Sequence, residues 1–204
     1  MVEALFSFIV ATCVLALSPG PDNMYVLTQS IVNGSRSALA TTAGLISGCI
    51  VHTTLLAFGF SAIITTNPSL FFSIKVLGAL YLLYLAYAVF RSDTTLKFSK
   101  NAPKKSYIQL FKQGVLMNLL NPKVMLFFLA LFPQFLWQPE TDTVLQFYIL
   151  GSTFMLVSFV VFATIAVLGG SVSSFLNKNK HAGIFFKWLQ ILVFVAIAAF
   201  IVVP

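Results

Sequence analysis

The sequence has 204 residues, 59% of them hydrophobic and only 8% charged, with a mean hydropathy of +0.96. Soluble domains carry roughly a quarter charged residues, so this chain cannot cover a water-facing surface and belongs in a bilayer. The net charge of +7 is not a nucleic-acid signal, because the basic residues fall in loops beside apolar segments, where they orient a membrane protein.

A spanning helix needs about 20 apolar residues. Six such segments fit, which predicts an all-α membrane protein with one transmembrane domain over residues 1–204. Span 1 runs from about Leu5 to Ile31. Its opening residues lack the basic start of a signal peptide, Glu3 being the only early charge, so they read as a first membrane helix. The span is broken at Ser18–Pro19–Gly20–Pro21–Asp22–Asn23. Each proline lacks an amide donor and clashes with the preceding turn. In lipid, the freed backbone groups must be satisfied inside the protein or in a water-lined cavity.

Span 2 covers about Ala38 to Thr65 and carries Gly44, Gly48 and His52 on one helical face. Small residues at that spacing admit a second helix closely, within the chain or in a homodimer. Span 3, about Leu70 to Phe90, holds Tyr81, Tyr84 and Tyr87 on one side, more suited to packing and the membrane interface than to a substrate. A basic loop at about 91–107 follows, with Arg91, Lys97, Lys100, Lys104 and Lys105. Span 4, about Ile108 to Phe132, is broken at Asn118–Leu119–Leu120–Asn121–Pro122–Lys123. Span 5, about Val144 to Leu168, is expected to end at Gly169–Gly170, and span 6 closes the chain after a loop with Lys178, Lys180 and His181. Cys13 and Cys49 lie in apolar segments and read as packing residues.

Lys and Arg collect in loops 1–2, 3–4 and 5–6 and are absent from loops 2–3 and 4–5. Alternate loops share a side in a six-span chain, so charge and span count agree and place both termini away from the cytoplasm. Three spans plus three make an inverted arrangement: repeat 1 at about 1–90 and repeat 2 at about 108–204, each opening with a proline-broken span. Corresponding broken helices are a sequence pointer to a secondary transporter's binding site.

Asp22 is the only carboxylate inside a predicted span, and Lys123 is the most interior lysine. Such residues are costly in a membrane and are functional candidates by default. Asn121 followed by Pro122 matches a helix N-cap with proline at the first helical position, and Ser18–Pro19 gives the same signature in repeat 1. Helix N-termini attract anions. A zwitterionic amino acid would therefore place its ammonium at Asp22 and its carboxylate at the amides after Pro122, helped by Lys123. The plainer reading is that Asp22 and Lys123 clasp the repeats together. The candidate site comprises Pro19, Gly20, Pro21, Asp22, Asn23, His52, Asn118, Asn121, Pro122 and Lys123. Asp22 or His52 would serve as a proton carrier, while His52 could equally be a packing residue. Two distant histidines and no cysteine pair offer no structural metal site, and no nucleotide-binding glycine motif occurs.

Ser18-Pro19-Gly20-Pro21-Asp22, then Gly44-x-x-x-Gly48-x-x-x-His52, Lys75-x-x-Gly78-Ala79-x-Tyr81-Leu82-x-Tyr84-Leu85 and Asn121-Pro122-Lys123-x-x-Leu126-Phe127-Phe128 leading to Phe132-Pro133-Gln134-Phe135 resemble the LysE/RhtB family of bacterial amino-acid exporters. Spans 5 and 6 match that family only in length and hydrophobicity. The resemblance implies an inner-membrane, multi-pass carrier with a six-helix inverted repeat. Such a carrier is not an enzyme, needs no cofactor, uses the proton as coupling ion and has membrane lipid and an amino acid as partners. One interior acid gives no second acid for a basic side chain, which favours neutral cargo. The rival readings are a carrier for homoserine lactone or a metal cation, a channel, and a membrane scaffold.

Overall fold

A computed structural model describes residues 1–18, 20–60, 68–91, 103–178 and 182–202. Pro19, residues 61–67, residues 92–102, residues 179–181 with Lys180 and His181, and residues 203–204 lie outside the described residues. The described chain is helical: α1 (Val2–Leu17), α2 (Pro21–Asn33), α3 (Ser35–Leu55), α4 (Pro68–Arg91), α5 (Tyr107–Leu120), α6 (Pro122–Leu126), α7 (Thr143–Lys178) and α8 (Ala182–Val202). Residues Leu56–Phe60 extend α3 as a π turn. After α6 the chain continues through a π turn at Phe127–Leu131 and a 3-10 turn at Phe132–Phe135.

Among the described residues four stretches are long and apolar enough to cross a membrane alone, and the count is six if each of two bent pairs is one span. Helices α1 and α2 meet at 60°, and α5 meets the 122–135 segment at 50°. Both bends fall at the proline breaks. The first differs in detail from the sequence expectation. Ser18 closes α1, its amide donating to Val14 and Leu15 carbonyls, and Gly20, not Ser18, is the N-cap of α2 with Pro21 at the first helical position. Gly34 between α2 and α3 has φ of +85°, a backbone that side chains rarely adopt, so glycine is needed there. Helix α5 starts on a capping box: Ser106 Oγ accepts from the Gln109 amide, and Gln109 Oε1 accepts from the Ser106 amide.

Helix α3 lies against α5, α7 and α2, while α4 packs on α8. The α3–α5 contact is backbone to backbone. A Cβ at Gly44 would overlap the Phe111 carbonyl, and one at Gly114 would overlap the Thr41 carbonyl and come within 2.8 Å of the Leu45 amide. The small-residue face of α3 is therefore filled by α5 of the same chain. Beneath the second break an aromatic cluster forms the core: Phe8, Phe127, Phe128, Phe132 and Phe154 are all buried. Phe128 stacks on Phe132 at 4.1 Å between centroids, and Phe8 meets Phe132 edge-on at 4.9 Å.

Span 5 does not end at Gly169–Gly170. Helix α7 runs 36 residues, through both glycines to Lys178. Gly169 is a packing position: a Cβ there would overlap Ser30 Oγ, and Ser30 donates to the Ala166 carbonyl at 2.6 Å. The close approach of α2 compensates for the roughly 1 kcal/mol that glycine costs inside a helix. Tyr84 and Tyr87 stand exposed on the outer face of α4, with Tyr81 and Tyr84 rings 5.8 Å apart.

Candidate functional site

A chain break inside a membrane span leaves carbonyls without amide partners at the end of one half-helix and amides without carbonyls at the start of the next. Here each break supplies groups to the other. Lys123, just past the second break, donates from Nζ to the carbonyls of Leu15 at 3.1 Å and Ser18 at 2.9 Å, capping the end of α1. Asn23, just past the first break, donates to the Ala16 carbonyl at 2.7 Å. Asn121 serves both breaks: its Oδ1 accepts from the Lys123 amide as the N-cap of α6, and its Nδ2 donates to Asp22 Oδ2 at 2.6 Å. The two hexapeptides, a hundred residues apart in sequence, thus form one buried polar cluster.

Asp22, Asn23, Asn118 and Asn121 are all buried. Asp22 receives its hydrogen bond from Asn121, while the Lys123 ammonium faces backbone carbonyls and the Phe194 ring, whose centroid is 5.9 Å away. The clasp between the halves therefore runs through Asn121 and main-chain oxygens rather than through an Asp22–Lys123 hydrogen bond. Gly20 has an extended backbone, and a Cβ there would sit 3.6 Å from Lys123 Nζ. Pro21 and Pro122 each open a half-helix. Pro19 is outside the described residues.

The amides after Pro122 are already engaged, since the Lys123 amide bonds Asn121 Oδ1 and those of Val124 and Met125 bond the Asn121 carbonyl. A substrate carboxylate there would have to displace the N-cap. The N-cap of α2 is Gly20, which has no side chain to offer the amides that follow Pro21. An ammonium has three donors, and Lys123 spends two on carbonyls, leaving one.

His52 packs on Phe128 at 5.4 Å, and its Nε2 lies 3.4 Å from the Asn118 carbonyl at the end of α5. It stands beside the second break at a carbonyl that also accepts from the Asn121 amide at 3.1 Å. Asn118 turns its side chain toward α3, donating from Nδ2 to Cys49 Sγ at 3.4 Å. Gly48 leaves room for it, as a Cβ there would lie 2.6 Å from Asn118 Oδ1. Both cysteines are free.

A cavity of about 30 Å³ adjoins the cluster, lined by Asp22, Asn23, Asn118 and Lys123, with Ser158 and Phe162 of α7 opposite. That is room for a water or two, too little for an amino acid. Ser158 was not legible as a site residue, because a lone serine in an apolar helix is common and carries no spacing signal. Among the described residues no three His, Cys, Asp or Glu side chains converge.

By sequence the chain as a whole is similar to known translocators. The chain is 33% identical to a homoserine/homoserine lactone efflux protein of Salmonella typhimurium over 88% of its own length and 86% of that protein's. It is 32% identical to the protein of the same name from Salmonella typhi, with the same shares covered. No solved structure matches the chain. The sequence model of LysE type translocators matches residues 13–203, and the chain belongs to that family.

Proposed function

We propose that the chain is a secondary-active carrier that exports small neutral amino acids or their derivatives, with homoserine and its lactone the first cargo to test. It would act across the bacterial inner membrane, by alternating access and in exchange for protons. The observation that carries this reading is the convergence of a carboxylate, a carboxamide and an ammonium from two broken spans on one buried cavity. Such groups are expensive in a bilayer and mark pathways. The names of the Salmonella relatives support the cargo class.

Asp22 receives the substrate ammonium. The free donor of Lys123, with the amides at the start of α2, receives the carboxylate. If proton and ammonium compete for the one Asp22 carboxylate, each can leave only when the other arrives, and exchange follows. The small cavity has to widen to admit an amino acid, and the 60° and 50° bends are the natural places for the half-helices to part. The helix pairing supports an inverted repeat: span 1 lies on span 5 and span 4 on span 2, while spans 2 and 5, and spans 3 and 6, pair across the halves. A two-fold axis in the membrane plane would exchange these pairs. The loop charges favour both termini on the periplasmic side.

The test is homoserine counterflow and efflux in proteoliposomes, with and without an imposed pH gradient, for wild type and Asp22→Asn. Gradient-dependent movement that Asp22→Asn loses is the expected result. Counterflow retained without gradient dependence would assign Asp22 to coupling alone. No movement of any amino acid by folded wild type would overturn the carrier reading.

A further inference from the structure

Most buried polar groups in proteins have a hydrogen-bond partner. Two side chains lining the cavity do not: Ser158 Oγ on α7 and Asn118 Oδ1 at the end of α5. Both residues are more than nine-tenths buried, with 2% and 4% of their surface exposed. Thr12, Ser18, Thr42 and Thr53 also have unpartnered hydroxyls and Gln134 an unpartnered amide nitrogen, but these residues do not line the cavity. We propose that Ser158 and Asn118 form the side-chain subsite of the cavity and select substrates that carry a hydroxyl over apolar substrates of the same shape.

The carboxamide of Asn118 is held in place on three sides. Its Nδ2 is spent on Cys49, its backbone carbonyl meets His52, and Gly48 gives its side chain a tight slot. What remains is an acceptor without a donor. Ser158 adds a hydroxyl that can donate or accept, and Phe154 and Phe162, one turn away on either side, wall the same cavity. Asp22 and Lys123 line it too and would hold the amino and carboxyl groups common to every amino acid.

A substrate hydroxyl can donate to Asn118 Oδ1 and accept from Ser158 at once. A lactone ring offers acceptors only and satisfies Ser158 but not Asn118. A methyl group in the same place satisfies neither and leaves both buried groups unpaired, which is the strongest form of rejection a pocket has. Homoserine is therefore preferred over norvaline, which replaces the hydroxyl of homoserine by a methyl, and over the lactone, which also lacks the carboxylate that Lys123 would hold.

This inference rests on the carrier reading above, and the experiment separates the two. Purified protein is loaded with labelled homoserine, and unlabelled homoserine, homoserine lactone and norvaline are compared as competitors. At a net 0.5–1.5 kcal/mol per hydrogen bond, wild type is expected to prefer homoserine over norvaline by roughly ten- to a hundredfold. Ser158→Ala should lower that ratio about five- to tenfold, and Ser158→Cys, which keeps a weak donor, should lower it less. The ratio is read within each variant, so the amount of folded protein cancels. Equal competition by homoserine and norvaline in wild type, or an unchanged ratio in Ser158→Ala, would overturn the subsite while leaving the carrier intact. Absence of both homoserine binding and transport in wild type would overturn the subsite and the carrier together.

Discussion

Replacing Asn121 tests whether one side chain ties the two breaks together. Asn121→Ala removes two hydrogen bonds at once: the N-cap bond to the Lys123 amide at 3.0 Å and the bond to Asp22 Oδ2 at 2.6 Å. Losing a cap costs about 0.5–2 kcal/mol. Interhelical hydrogen bonds in membrane proteins average about 0.6 kcal/mol and reach about 1.7. A buried acceptor left unpaired costs about 1–3 kcal/mol, and Asp22 would lose the carboxamide that donates to it. The expected destabilisation is thus about 2–4 kcal/mol, larger than either bond alone. Asn121→Ser is the informative companion, because serine keeps an N-cap oxygen but is too short to reach Asp22. It should recover about 1 kcal/mol of the loss. The assay is reversible unfolding in mixed micelles, with helicity as the readout, alongside homoserine counterflow. Both variants should lose most counterflow, since the Asp22 carboxylate is no longer oriented. Unfolding of both variants within about 0.5 kcal/mol of wild type would refute the bridging role.

Three further outcomes are expected. Lys123→Met keeps the length of the side chain but uncaps the Leu15 and Ser18 carbonyls, so it should destabilise by about 2–4 kcal/mol and abolish counterflow; wild-type unfolding would show that those carbonyls find other donors. Gly44→Leu should drive α3 away from the Phe111 backbone and cost about 3 kcal/mol or more, whereas Gly170→Ala, with open space around its Cβ position, should be neutral or slightly stabilising in the same unfolding assay. A cysteine pair at Ser30 and Ala166, where α2 meets α7, should crosslink under mild oxidation, as judged by the mobility of a nicked chain; absence of a crosslink would contradict the packing of α2 against α7.

Local sequence made the half-helices legible. Asn121–Pro122 reads as a helix start from two residues alone, because a capping side chain and a fixed φ act within one turn. Composition placed the chain in a bilayer, since 8% charged residues cannot coat a soluble surface. The start of α2 was misplaced by two residues because Ser18, Gly20 and two prolines compete for the same few positions, and only the backbone shows that Ser18 finishes α1 instead. The end of span 5 was misplaced for a different reason. Gly169–Gly170 breaks an isolated helix but suits one pressed against α2, and that neighbour is invisible in a local window.

The sequence by itself determined that the chain crosses a membrane, where its spans break, and that Asp22 and Lys123 sit at the breaks. Apolar length, missing amide donors and isolated charges are all properties of short stretches. Only the tertiary structure decided the partners: Lys123 with the end of α1, Asn121 with Asp22, His52 with the Asn118 carbonyl, and Ser158 facing the cavity. Those pairings join residues 66 to 108 positions apart. They are fixed by how the broken helices stack, and the stacking is governed by the close approach that glycines such as Gly44 and Gly114 allow.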